Sequence, residues 1–449
     1  MNHRITTSVI AFTFGALTSL AATAQDASQL GKSLTPLGAE KAANSAGTIP
    51  AWDGAVPAKP AGFKPGILYP DPFAGDKPLF TVTAADVEKY KDNLTPGQVA
   101  MFKKFPDYKL NVYPTHRSAV FPKGYYDETL ANPGKAKLSP GGNGVIGTTG
   151  GLPFPIPANG LEAIWNQLTR YRGETYRTDT VQVAVTRTGD YTPVRFQNEL
   201  DFQFASLNKK PAERIDNLLF YFVQRIVAPA RLAGQVLLVH EPLDQTKVPR
   251  SAWTYNPGQR RVRQAPNVAY DNPGTAADGL RTNDDFGLYN GATDRYDFTL
   301  VGKKEIFVPY NSYKLSSGVN LTDLIKPGHI NQDFARYELH RVWVVDAKLK
   351  KGTSHLYARR TFYLDEDSWA ALLIDKYDGR GELYRTAEQH SITLYDVPMF
   401  FGTVELHYDL QSGRYLALSV RSGDDKMYEP AKLTAADFAP ASLREAGVR

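Results

Sequence analysis

The stretch TPVRFQNELDFQFAS, residues 192–206, alternates. Val194, Phe196, Leu200, Phe202 and Phe204 fall on one side of an extended chain, and Arg195, Gln197, Glu199, Asp201 and Gln203 on the other. Successive side chains of a strand point to opposite faces, so the pattern predicts a strand with one dry and one wet face. VELHYDL at 404–410 repeats it, with Val404, Leu406, Tyr408 and Leu410 opposed to Glu405, His407 and Asp409. Glycine-bearing turns, RTGD (187–190), NPGQ (256–259), DGRG (378–381) and QSGR (411–414), join neighbouring strands. GQVLLVHEP (234–242) and RVWVVDAKL (341–349) are apolar on both faces and should be covered on both. We read about ten strands in successive hairpins. The expected fold is mainly β with α: a large curved antiparallel sheet, an incomplete barrel, covered by helices and a long irregular N-terminal segment. An outer-membrane barrel also alternates, but the irregular first third of this chain could not lie in lipid.

Outside the sheet the pattern changes. Arg4 and the apolar run SVIAFTFGALTSLAATA, ending in Ala22-Thr23-Ala24, read as a signal peptide over 1–24. The run is shorter than the roughly 20 residues a membrane span needs. Residues 25–160 are rich in Pro and Gly, as in IPAWDGAVPAKPAGFKPGILYPDPF (49–73), yet Trp52, Phe63, Tyr69, Phe73, Phe80 and Phe105 make them too apolar for disorder. This segment is expected to wrap around a sheet domain at 161–449. Within it, 83–105 predicts two short helices, one capped at Thr83 and one started by Thr95-Pro96. NGLEAIWNQLTRYRG (159–173) predicts an amphipathic helix capped by Asn159, with Leu161, Ile164, Trp165 and Leu168 on one face and Gly173 as its stop.

Composition narrows the function. The absence of cysteine excludes disulfides, thiolate metal sites, a cysteine nucleophile and a lipid-bearing cysteine. With the leader this suggests a non-lipidated protein of a bacterial periplasm. A net charge of +5, one lower once Arg4 leaves, is too mild to imply nucleic acid. Gly142, Gly144 and Gly147 match a dinucleotide-loop spacing, but no strand precedes them and no helix can follow. Asp284, Asp285, Asp294 and Asp297 lack the spacing of a calcium loop. Asp365-Glu366-Asp367 read as the charged tip of a hairpin. His340, His355 and His407 are expected on strands as structural histidines. No nucleophile, base and orienting group assemble, so no catalytic residue, metal or cofactor is expected.

Two sets of arginines stand out. In WTYNPGQRRVRQAP (253–266) a four-residue turn pairs Trp253 with Val262 on the apolar side and sends Arg261 and Arg263 to the other face. There they are a polar face or a contact for an anion or a partner, since a guanidinium suits carboxylate and phosphate. In SHLYARRTFYL (354–364) Arg360 shares the apolar face of Leu356, Ala358, Phe362 and Leu364. A charge there needs a partner, either a buried carboxylate or the polar head of an amphiphilic ligand.

AWTYNPGQRRVRQAP (252–266), FGLYNGATDRYDF (286–298), RVWVVDAKLKKGTSHLYARRTFYLDEDSWAALLIDKYDGRGELYR (341–385), IPAWDG (49–54) and APARLAGQVLLVHEP (228–242) together resemble a domain-of-unknown-function family of exported proteobacterial proteins. The resemblance implies a fold similar to the outer-membrane lipoprotein-sorting proteins LolA and LolB, a curved incomplete barrel closed by helices over a greasy cavity. It also implies trans-envelope transport of hydrophobic compounds, with an inner-membrane transporter of the resistance-nodulation-division class and an outer-membrane protein as partners. It brings no catalytic residues. Without a lipidated cysteine, LolA is the closer parallel.

The reading that follows is a periplasmic carrier of a hydrophobic, lipid-like ligand. Its expected cavity wall is Val194, Phe196, Leu200, Phe202, Phe204, Trp253, Val262, Leu356 and Phe362, around a mostly apolar pocket of at least about 300 Å³. One alternative is a periplasmic subunit bridging a transporter and an outer-membrane protein, its cavity plugged by its own side chains. Another is a lipid- or glycan-acting hydrolase. The leader reading predicts that the exported protein begins at Gln25. Its intact mass should equal that of residues 25–449, and a retained N-terminus would contradict the reading.

Overall fold

The computed structural model describes residues 27–265, 268 and 270–447, and the leader at 1–24 lies outside the described residues. The alternating segment at its centre is a strand of a meander formed by β1 (Thr175–Val185), β2 (Val194–Phe202), β3 (Leu218–Ala228), β4 (Val236–Pro242), β5 (Ser251–Asn256) and β6 (Arg261–Ala265). After β7 (Tyr296–Pro309) comes a second meander: β8 (Tyr337–Leu349), β9 (Arg359–Asp365), β10 (Ala371–Tyr377), β11 (Leu383–Leu394), β12 (Met399–Asp409) and β13 (Tyr415–Val420). Antiparallel pairing of β13 with β1, through Leu416↔Ala184 and its neighbours, fuses the two meanders. β7 flanks β8, and β6 forms the opposite edge.

The result is one large, mostly antiparallel sheet that does not close. Bulges, as between Leu300 and Gly302 on β7 and between Gly402 and Glu405 on β12, sharpen its local twist. It holds 16 strands among the described residues, more than the alternation announced. Pieces as short as Phe80–Val82, Leu110–Val112 and Glu429–Pro430 carry no readable period.

The two N-terminal helix starts are as read. Thr83 caps a short 3-10 turn, and the Thr95 side chain accepts from Gln98 N at 3.1 Å at the start of α1 (Pro96–Lys104). The Asn159 side chain accepts from Glu162 N at 3.0 Å and opens α2 (Gly160–Thr169). Ile164, Trp165 and Leu168 are buried. α2 ends before Gly173, because Arg170 already turns extended at ψ 151°. Gly160 is required where it stands: a Cβ there would sit 2.7 Å from backbone carbons of Phe298 and Thr299, so the helix start rests directly on β7.

The N-terminal segment is tied to the second meander by charge. Arg117 donates to both oxygens of Asp367 at 2.9 and 2.7 Å, and Arg341 donates to the carbonyls of Glu40 and Ala42. Trp369 Nε1 donates to the Leu37 carbonyl at 2.8 Å. This corrects the reading of Asp365-Glu366-Asp367 as a solvated tip. All three are buried, because the N-terminal segment covers the hairpin and supplies Arg117. His340 and His407 are buried on strands, whereas His355 precedes β9.

α1 docks in the same way, its Gly97 N–H donating to the buried Asp375 of β10. Thr386 Oγ1 also donates to that carboxyl, at 3.0 Å. Burial outweighs these bonds and pushes Asp375 up to about 6, against about 3.9 in an unfolded chain. The folded state therefore binds this proton more readily, and the group's stabilising contribution is lost as pH rises from about 4 through about 6. Asp375→Asn, which mimics the neutral form, should gain on the wild type by on the order of 2 kcal/mol between about pH 4 and pH 7.5. Denaturant unfolding at the two pH values checks this, and a pH-independent difference would refute it.

Candidate functional site

The inner face of the first meander is not filled by its own side chains. Strand pairing places Thr178 of β1, Asn198 of β2 and Gln224 of β3 in one row, with Tyr176, Leu200 and Phe222 in the next. The rows continue across Val239 of β4 to Ala252 of β5. Two adjoining chambers lie over this wall. One, of about 110 Å³, is bounded by Phe196, Leu200, Phe202, Phe400 and Phe401. The other, of about 230 Å³, lies against Leu237, Val239, Ala252 and Thr254. Phe222, Gln224, Arg281 and Phe286 line both. Phe222 and Phe286, with ring centroids 5.8 Å apart, stand at the partition.

The roof of the partition is the turn Asn283–Leu288, and buried charge holds it in place. Asp284 accepts from Arg360 of β9 at 2.6 Å and pairs with His355 Nε2 at 3.0 Å. Asp285 meets Lys376 of β10 at 2.9 Å and accepts from Tyr357 OH at 3.1 Å. Burial alone would raise Asp285; Lys376 and Arg360 outweigh it and hold the carboxyl far below the usual range. Arg360 is also flanked by the rings of Tyr289, Tyr296 and Tyr357 at 4.9–5.3 Å. Gly287, at φ +62°, turns its N–H onto both oxygens of Glu405, at 3.1 and 3.2 Å.

Four arginines line the first chamber: Arg170, Arg172, Arg281 and Arg421. Arg170 and Arg172 are half-buried, and Arg281 and Arg421 are buried. Arg172 lies over Phe202 and Phe220, at 5.0 and 5.1 Å from their ring centroids. Arg421 lies over Phe401 at 5.6 Å and donates to Thr178 Oγ1 at 3.0 Å. Arg170 donates to the Gln167 carbonyl, and Arg281 to that of Thr282. Desolvation draws Arg170 down to about 9 and Arg172 and Arg421 down to about 10, and it lowers Arg281 as well.

The structure separates the residues singled out from sequence. Phe196, Leu200 and Phe202 line the first chamber. Val194 packs instead with Ile226, and Phe204 lies past the end of β2 in the main core. Trp253 and Val262 are not on the cavity wall. They face the other side of the sheet, where Phe438 and Leu443 of the C-terminal segment cover them. The hairpin register is also corrected: Trp253 pairs with Gln264, and Val262 with Tyr255. The four-residue turn spans 257–260, one residue later than NPGQ, and takes Arg260 at φ +50°. Leu356 precedes β9 and is 42% exposed, and Phe362 is buried against Tyr289, 5.2 Å between ring centroids. Arg360 has the buried carboxylate partner, not an opening to the chambers. Arg261 and Arg263 are exposed on the edge strand, on the face that Thr254 shares.

The expected single apolar pocket is instead two smaller chambers with cationic walls. Phe222, Phe286 and the four arginines were missed. Arg170-Tyr171-Arg172, placed just past an amphipathic helix, was the available signal for two of them. Among the described residues, His340, Asp365 and Asp367 come close enough to share an ion, with ligand atoms within 4.8 Å. Arg117 holds both oxygens of Asp367, and Ser368 and Tyr310 hold Oδ2 of Asp365, while Asp365 Oδ1 has no hydrogen-bond partner.

Residues 81–444 match the family model described as Protein of unknown function (DUF1329). The chain belongs to the DUF1329 family. An uncharacterized protein of Pseudomonas aeruginosa is 52% identical to it over 447 residues, 99% of this chain and 98% of that one. Two solved structures are similar in fold. A DUF1329 family protein of Desulfovibrio piger has a TM-score of 0.42 at 16% identity, over 63% of this chain and 95% of its own. A LolA superfamily protein of Nitrosomonas europaea has a TM-score of 0.38 at 13% identity, over 63% and 98%.

In this DUF1329 protein, Arg360→Leu should cost about 3–5 kcal/mol, because it strands the Asp284 charge in the core. Arg261→Gln, on the exposed edge, should stay within about 0.5 kcal/mol. Denaturant melts of both variants test the contrast, and an Arg360→Leu melt like that of the wild type would refute the roof-anchoring role.

Proposed function

We propose that this DUF1329 protein is a periplasmic carrier that holds a hydrophobic, lipid-like ligand in the two chambers over β1–β5. The observation that carries the reading is the wall itself. A filled core leaves few voids larger than a water molecule. Here Phe196, Leu200, Phe202 and Phe222 face open space, and the chambers of about 110 and 230 Å³ adjoin at Phe222 and Phe286. Together they reach the lower end of the range for ligand sites, about 300 Å³. Phenylalanine walls suit an acyl chain, while Asn198, Gln224 and Thr178 offer polar contacts beside them.

The open wall supports a carrier over a bridging subunit whose cavity is plugged by its own side chains. The role is one of binding rather than turnover. In it the protein passes its cargo between an inner-membrane transporter of the resistance-nodulation-division class and an outer-membrane protein.

Leu200 is the residue to block. Leu200→Trp keeps the wall apolar and fills the first chamber, so it should weaken binding of a fluorescent fatty-acid probe by at least about tenfold. Gln197→Asp, exposed on the opposite face of β2, should bind as the wild type does. Gln203 is no control, because it is buried and donates to Asp201 at 2.7 Å. Equal binding by the wild type and Leu200→Trp would exclude the chamber as the carrier site.

A further inference from the structure

We infer that the ligand of the first chamber is an amphiphile with an oxyanion head, a carboxylate or phosphate, held by Arg170, Arg172, Arg281 and Arg421. This rests on the carrier reading and names the class of its cargo.

The contrast with the other arginines of the core carries the inference. Six others are matched: Arg117 with Asp367, Arg250 with Glu241, Arg336 with Glu338, Arg341 with Glu366, Arg360 with Asp284 and Arg385 with Asp409, at 2.5–3.1 Å. None of the four chamber arginines has a carboxylate oxygen within 4.0 Å among the described residues. The Nε atoms of Arg172, Arg281 and Arg421 are buried and have no hydrogen-bond partner, nor has that of Arg360, but Arg360 alone of these has a carboxylate on its terminal nitrogens. Glu405 is the single carboxylate on the chamber wall; it accepts from the Gly287 N–H and lies beyond 4.0 Å of all four guanidinium groups. Four cations against one anion, in a wall of phenylalanine rings, leave an excess of positive charge where desolvation is costly. A guanidinium does not shed its proton under ordinary conditions. The remaining compensation is an anion from outside, and the planar fork suits the oxygens of a carboxylate or phosphate.

The tail has its own surface. Arg172 sits over Phe202 and Phe220, so the charged lining grades directly into the aromatic wall. From there Phe222 and Phe286 lead toward the second chamber, lined by Leu237, Val239 and Ala252. A head at the arginines and a chain across the partition use both chambers at once.

Calorimetric titration of the full-length exported protein, freed of bound lipid, separates the parts. Dodecanoate and dodecyl phosphate share a tail and differ in their anionic heads, dodecanol has the same tail without charge, and inorganic phosphate has the charge without the tail. We expect both anionic amphiphiles to bind at least about tenfold more tightly than dodecanol, and inorganic phosphate to bind far more weakly than dodecyl phosphate. Dodecanol binding as tightly as dodecanoate would overturn the anion inference and leave the carrier reading intact. Failure of every tailed ligand to bind would overturn the carrier reading itself. Inorganic phosphate binding as tightly as dodecyl phosphate would overturn the joint head-and-tail site. Arg421→Gln and Arg281→Gln should shrink the dodecanoate-to-dodecanol ratio, with Arg421→Lys retaining more of it. If a Gln variant fails to fold, the wild-type series still decides, and an unchanged ratio in folded variants would overturn the assignment of these residues.

Discussion

The arrangement depends on a pair of aspartates placed where neither can be solvated. Asp284 and Asp285 lie in the interior and are held ionised by Arg360 and Lys376, which project from adjacent strands β9 and β10. An isolated buried carboxylate is costly enough that these contacts are obligatory. They fix a turn with almost no regular structure of its own, in which Phe286 and Gly287 leave helical geometry altogether. A loop so anchored behaves as part of the sheet. It can present Phe286 to the opposite wall at a set distance without an apolar core of its own beneath it.

The same logic explains the uneven treatment of charge. Arginine–carboxylate pairs, Arg117 with Asp367 and Arg336 with Asp76, join the N-terminal segment to the region of the second meander, each closed within the protein. In the first chamber the arginines rest on aromatic rings and backbone carbonyls instead. Contacts of this kind keep a guanidinium in place while leaving its charge unneutralised. Matched pairs thus hold most of the buried arginines, Arg250 with Glu241 of the first meander included, and the unmatched guanidinium groups gather at the first chamber.

Much of the sheet was legible in the sequence because its signal is local. Alternation in 194–202 requires nothing beyond neighbouring residues, and the turns at 187–190, 378–381 and 411–414 lie where the strands reverse. The cavity wall was less legible because parity names two faces without saying which one is concave. Trp253 and Val262 are apolar, yet their face is the one the C-terminal segment covers. Asp365–Asp367 show the same difficulty with the sign reversed: three adjacent acids look solvated until Arg117, some 250 positions away in the chain, reaches them. Arg170, Arg172, Arg281 and Arg421 come from three separate regions of sequence, and no spacing rule connects them.

Among the described residues the open sheet has a free margin at β6, and its composition matters for how the molecule behaves among its own kind. An unpaired strand offers a ready row of backbone donors and acceptors to any second copy. On β6 the exposed Arg261 and Arg263 stand along that row. Two such margins brought together would set guanidinium against guanidinium, so the strand resists self-templating at high concentration. Two of the three arginines that follow the tight turn thus place charge on an edge that the sheet leaves open.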